Sequence, residues 1–157
     1  MDLQELHERT EIDLRKLRYC LDHSLVPGLY IELTPREAGR PRKFAPDVGF
    51  GIVCAAKLLD LGLPHEVIRK FLQGMLGIVI QGTSTPKRAL LAVLERREPA
   101  IAQLADGERV RIVAGDPEHN SGWIPPIRSA KRALEYKPVV MVTLDIGQIR
   151  DQVFGSR

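Results

Sequence analysis

A short amphipathic segment with sharp limits at both ends constrains this chain more than any other feature. Asp13 offers a helix N-cap, and Leu14, Leu17 and Leu21 recur at i, i+3 and i+7, which lines one face with leucine. Val26-Pro27-Gly28 stops the pattern. The opposite face carries Arg15, Arg18, Tyr19 and Asp22 at i, i+3, i+4 and i+7, with Lys16 beside them. A helix that only fills a core has no need of an outward arginine and tyrosine, so this face predicts a partner. Upstream, Asp2 caps a short helix running through about His7, with Leu3 and Leu6 inward, before Thr10-Glu11-Ile12 breaks the repeat. Two short helices joined by a tight turn, the second with a basic and aromatic outer face, form a helix-turn-helix pattern.

The pattern continues in a consistent order. LYIEL (29–33) alternates like a strand, TPREAGR is rich in turn residues, and PRKF (41–44) returns as a second strand. The product is a β-hairpin with an arginine-rich tip that holds Arg36, Arg40, Arg42 and Lys43. A third helix starts at Pro46-Asp47 and ends before Gly62, with Gly49 and Gly51 marking close packing. A fourth, LPHEVIRKFLQGML, carries Leu63, Val67, Ile68, Phe71, Leu72 and Met75 as its apolar face. Residues 1–76 are thus predicted to form one unit, followed by GIVIQGTS (77–84) as a short strand or linker.

Residues 85–157 are predicted to form a small α+β domain. Thr85 caps a helix beginning with Pro86, in which Leu90 and Leu94 continue toward Ile101 and Leu104, split or kinked at Pro99. That stripe is either a dimer seam or the inner face of the domain, with the second favoured. RVRIVA (109–114) alternates as a strand, GDPEHNSGWIPP is a loop, SAKRALEY offers a helical turn or two, and PVVMVTL (138–144) is expected to be a buried strand. Asp145 caps a last helix with Ile146, Ile149 and Val153 inward. The predicted class is therefore α+β, mostly α with a small β component.

Composition excludes several classes. No run approaches the roughly 18–20 uncharged apolar residues of a membrane span, and MDLQELHERTEI lacks the basic-then-apolar order of a signal peptide, so a cytoplasmic protein with no membrane partner is expected. Cys20 and Cys54 are too few for a disulfide framework or a four-cysteine zinc site. The net charge of +3 decides little. Residues 1–76 hold 11 Lys+Arg against 11 Asp+Glu, yet the bases cluster at 15–18 and 36–43, and local patches rather than net charge attract phosphate. His7, His23 and His65 show no ligand spacing. Asp116, Glu118, His119 and Ser121 crowd one loop, but a triad needs a nucleophile, a base and an oxyanion site on a scaffold, and that loop lacks the glycine spacing of a phosphate loop. Neither an enzyme nor a cofactor or metal site is predicted.

Leu3, Leu6, Thr10, Ile12, Leu17-Arg18-Tyr19, Leu25, Pro27, Phe44, Asp47, Ile52, Leu59, Gly62, Ile68 and Leu72 fall in the order that marks the N-terminal winged helix of the mercury-resistance regulator (MerR) family. The chain resembles that family over about its first half. By resemblance, the second helix enters the major groove of double-stranded DNA. Arg15 and Lys16 would then lie near bases, Arg18 and Tyr19 at phosphates and the groove edge, and Arg40, Arg42 and Lys43 would reach out from the wing. Arginine is the commonest specific reader of guanine, and Arg and Lys supply the phosphate contacts. The chain departs from the family at four places. Cys20 replaces the second aromatic after Arg-Tyr, the wing is longer, and Ala45-Pro46 replaces the Ser or Thr cap of the third helix. GIVIQGTS stands where the long dimerising helix would begin, and no cysteine follows it, which excludes a thiol-metal sensor. The resemblance implies a homodimeric, sequence-specific transcriptional regulator, with residues 85–157 dimerising or meeting a protein partner. A phage or mobile-element DNA-binding factor of the excisionase or small-terminase type, an antitoxin, and a protein-interaction module without DNA are the alternatives.

Overall fold

The computed structural model describes residues 1–26, 43–80, 87–123 and 136–155. In chain order the described elements are α1 (Leu3–Thr10), α2 (Leu14–Asp22), α3 (Pro46–Asp60), α4 (His65–Gly77), β1 (Val79–Ile80), β2 (Lys87–Arg88), α5 (Ala89–Arg96), β3 (Ala100–Ala105), β4 (Arg109–Ala114), a 3-10 turn (Pro117–His119), β5 (Met141–Asp145) and α6 (Ile146–Phe154). The protein is mixed α+β. It divides into two compact units, Met1–Leu72 with Ile149–Arg157, and Gln73–Gln148.

The first unit is helical. Asp2 accepts a hydrogen bond from the Glu5 amide at 3.0 Å and starts α1, which runs to Thr10, three residues beyond the expected His7. Thr10 Oγ1 donates back to the Leu6 carbonyl (2.7 Å), and Glu11 at φ 58° closes the helix. Asp13 caps α2 by accepting from the Arg15 amide at 2.6 Å. α3 begins at Pro46 without a side-chain cap from Ala45, and Gly62 at φ 73°, a conformation glycine adopts without strain, terminates it. Leu6, Leu17, Phe50, Ile52, Leu58, Ile68, Phe71 and Leu72 are all fully buried; each large apolar side chain removed from water contributes roughly 1.5–3 kcal/mol. The C-terminal residues join this unit through Phe154, stacked on Phe50 at 6.4 Å between ring centroids, and through the Val153 carbonyl, which accepts from Arg9 Nη1 at 2.7 Å. Of the predicted hairpin of residues 29–44, residues 29–42, including Arg36, Arg40 and Arg42, lie outside the described residues, and Lys43 and Phe44 are not in a strand. At its end, the Phe44 amide donates to the Met1 carbonyl (2.7 Å), while the Met1 ammonium donates to the Phe44 carbonyl (3.2 Å).

The second unit is built on an antiparallel sheet of order β4-β3-β5, beside a two-residue ladder in which Val79 faces Arg88. Here three expectations are corrected. The stripe from Leu90 to Leu104 is not one helix. α5 stops at Arg96, Arg97 takes φ 56°, and Pro99 lacks the amide a continuing helix needs. Ala100–Ala105 then forms the central strand, paired on both sides. Nor does a helix start at residue 86, since Lys87–Arg88 is extended and α5 begins at Ala89. Finally, the strand expected at 138–144 begins only at Met141 and is buried only at Leu144. β5 sits at a sheet edge, Val139 is 92% exposed, and Val140 and Met141 are exposed as well.

Period-two alternation gives the sheet two unlike faces. Ala102, Leu104, Val110, Ile112 and Leu144 are buried on one; the other mixes Gln103, Arg109, Arg111 and Thr143 with Ile101, Val113 and the buried Ala105. Asp106 and Gly107, at φ 52° and 70°, make the β3–β4 turn, as the twist of a hairpin favours. The Asp106 carboxylate also accepts from the amides of Val140 (2.9 Å) and Val139 (3.0 Å) and from the Tyr136 hydroxyl (2.9 Å). The Val140 amide first, and then Tyr136, hold it below the usual carboxylate range. In the following loop, Asp116 caps the 3-10 turn, Ser121 Oγ accepts from the Ile112 amide (2.7 Å), and Asn120 Oδ1 accepts from the Ala114 amide (2.7 Å). Asp145 caps α6 through the Gln148 amide at 2.7 Å.

Candidate nucleic-acid interface

The spacing that makes α2 amphipathic is realised. Leu17, Cys20 and Leu21 are buried against the helices α1 and α3, and Arg15, Arg18, Tyr19 and Asp22 are exposed on the other side. Arginine side chains set on a helix whose opposite face is locked in a core are held in fixed register, which is what a groove reader requires. Cys20, which stands where the resemblance has a second aromatic, fills the core. Burial pushes its thiol up to about 11, and burial also raises that of Cys54. Thiolate, the reactive form, is therefore scarce at neutral pH.

The seven candidate residues do not share one environment. Arg15 and Arg18 are exposed, as is Lys43 next to Phe44. Lys16 is only half exposed and forms an ion pair with Asp60 at the end of α3. Tyr19, 41% exposed, lies against two imidazoles. Its ring centroid is 4.0 Å from that of His23 and 5.6 Å from that of His65, whose Nε2 shares a hydrogen bond with the tyrosine hydroxyl at 3.1 Å. Arg40 and Arg42 lie outside the described residues.

Three residues around this face were not singled out from the sequence as site residues. His23 follows Tyr19 by four positions, so helical spacing already put the two on one face. His65 arrives from α4, and Arg69 of the same helix donates to the His23 carbonyl (2.8 Å) and the Ser24 carbonyl (3.3 Å). The last carbonyls of a helix have no partner within it. Arg69 thus closes the C-terminus of α2 and braces the helix that presents Arg15 and Arg18. Nothing local in the sequence announces a contact across 46 residues.

Among the described residues no group of three or more His, Cys, Asp or Glu is placed to hold a metal ion, and no helix is long and apolar enough to cross a membrane. No protein-family model, curated protein or solved structure matches the chain.

Proposed function

We propose that this chain is a sequence-specific double-stranded DNA-binding protein, a homodimeric MerR-like transcriptional regulator of the cytoplasm that does not sense metals through thiols. The first unit, Met1–Leu72 with Ile149–Arg157, is in this reading the winged-helix reader, and the second, Gln73–Gln148, the part that dimerises or meets a protein partner. The observation that carries the reading is α2: capped at Asp13, braced at its end by Arg69, buried on its leucine face and exposing Arg15 and Arg18. Tyr19, backed by His23 and His65, offers a rigid aromatic edge beside the two guanidinium groups. Lys43 extends the basic surface. In this reading Lys16 leaves Asp60 for the groove on binding, so its share of the affinity is reduced by the cost of breaking that pair.

The test is fluorescence-anisotropy binding to DNA from around the protein's own gene, compared with a scrambled duplex across a salt series. The native duplex should bind more tightly, with affinity falling steeply as salt rises. Arg18→Ala should weaken it by about 1–3 kcal/mol. Equal, weak binding to both duplexes, unchanged by Arg18→Ala, would overturn the reading and leave the α2 face to a protein partner.

A further inference from the structure

The second unit carries a surface that the duplex-binding reading does not use. Arg109 and Arg111 are two apart on β4 and therefore share the outer face of the sheet. Each guanidinium lies over an aromatic ring. Arg111 Cζ is 4.4 Å from the centroid of Trp123, and Arg109 Cζ is 5.7 Å from that of Tyr136. The two rings meet edge to face, with centroids 5.8 Å apart, so cation, ring, ring and cation form one continuous row. Gln103, opposite Arg111 on β3, accepts from Arg111 Nε at 2.7 Å and orients that guanidinium. Tyr136 is held by its hydrogen bond to Asp106, itself engaged by two backbone amides. All five members of the row are partly accessible. The row lies on the face that carries Gln103 and Thr143 together with Ile101, Ala105 and Val113.

We propose that this row, Gln103, Arg109, Arg111, Trp123 and Tyr136, is a binding platform for single-stranded nucleic acid. Unstacked bases present flat π-faces that stack on aromatic rings and on guanidinium planes, and the phosphates between them answer the two positive charges. A duplex hides those faces, and an acidic protein segment does not offer them.

Trp123 is the sole tryptophan of the chain, so its fluorescence reports on the row directly. The full-length protein is titrated with short oligothymidylate and oligouridylate, with a blunt duplex, and with heparin as a polyanion without bases. Both single strands should quench Trp123 saturably and weaken with salt; whichever binds more tightly identifies DNA or RNA as the preferred source. Duplex and heparin should quench at most weakly. Arg111→Ala should lower single-strand affinity about tenfold, the scale of one lost stacking partner. Arg111→Lys keeps the charge, and most of that loss should remain because a lysine ammonium cannot stack. Unchanged circular dichroism identifies the folded variants. Arg15→Ala with Arg18→Ala should leave single-strand quenching within about twofold, since neither residue belongs to the row or to its unit, so failure here is distinguishable from failure of the duplex reading. Absence of quenching by either strand, equal quenching by heparin, or full affinity in Arg111→Lys overturns the platform.

Discussion

The two units solve the same burial problem with different secondary structure, and the solutions leave different surfaces. In the helical unit, Leu6, Leu17, Phe50, Ile52 and Phe71 are wholly buried, and what remains outside α2 is charge on a rigid rod. In the sheet unit one face is apolar and the other is mixed. Its buried strand residues are small or branched, Ala102, Leu104, Val110 and Ile112, and the other face is held by cation–ring contacts and side-chain hydrogen bonds. The contrast teaches that a helix can present a binding face without weakening its core, because 3.6-residue periodicity separates the two faces. A thin sheet has both faces within one residue of each other, so its polar side must contribute to order as well as to recognition.

Substitutions sharpen that contrast, the largest effect coming in the helical core. Phe50→Ala removes a buried ring that also stacks on Phe154, and should cost about 3–5 kcal/mol in denaturant unfolding. A cost near that of a surface change would mean the first unit does not depend on its core as described. The next effect lies in the sheet unit. A Cβ on Gly74 would meet Val110 Cγ2 at 2.8 Å and Cβ at 2.9 Å, so Gly74→Ala should overpack by about 1–3 kcal/mol, offset by about 1 kcal/mol of helix propensity. Adding Val110→Ala should relieve the overpacking; a Gly74→Ala variant more stable than the parent would break the account of that contact.

The smallest effect is electrostatic. Asp106 is depressed by the Val140 amide and Tyr136, so its ionised form is favoured in the folded state. Its contribution is present above the unfolded carboxylate value, about 3.9, and is lost as pH falls through the lower folded value. Tyr136 is shifted upward, first by desolvation and then by Asp106, so its contribution is lost at the alkaline end, as pH rises through the raised value. Acid-limb unfolding of the second unit should thus be shallower in Asp106→Asn than in the parent, as followed by Trp123 fluorescence. An identical acid limb would show that the polar side does not stabilise the turn.

Helix existence in the first unit was legible because Asp2, Asp13 and Gly62 stand at real ends and the leucine spacing is unbroken. The C-terminal half was harder. Leu90, Leu94, Ile101 and Leu104 fit a helical stripe, and that pattern concealed a strand, although Asp106-Gly107 between two extended runs is a strong hairpin signal. At residues 138–144, apolar composition implied burial, yet position at a sheet edge left Val139 in solvent. For the candidate site, exposure of Arg15, Arg18 and Tyr19 followed from spacing, whereas the ion pair of Lys16 with Asp60 and the bracing by Arg69 did not.

By itself the sequence determined what depends on neighbours a few positions away: where α1, α2 and α3 start, which face of α2 is leucine, and that Gly62 ends α3. Those are local energies, capping bonds and side-chain periodicity within one or two turns. Only the tertiary structure decided which strands pair, that Tyr19 meets His65, that residues 149–157 join the first unit, and that two arginines of β4 lie over Trp123 and Tyr136. Such contacts form between residues far apart in the chain. Their energies come from packing and desolvation in three dimensions, which no local spacing encodes.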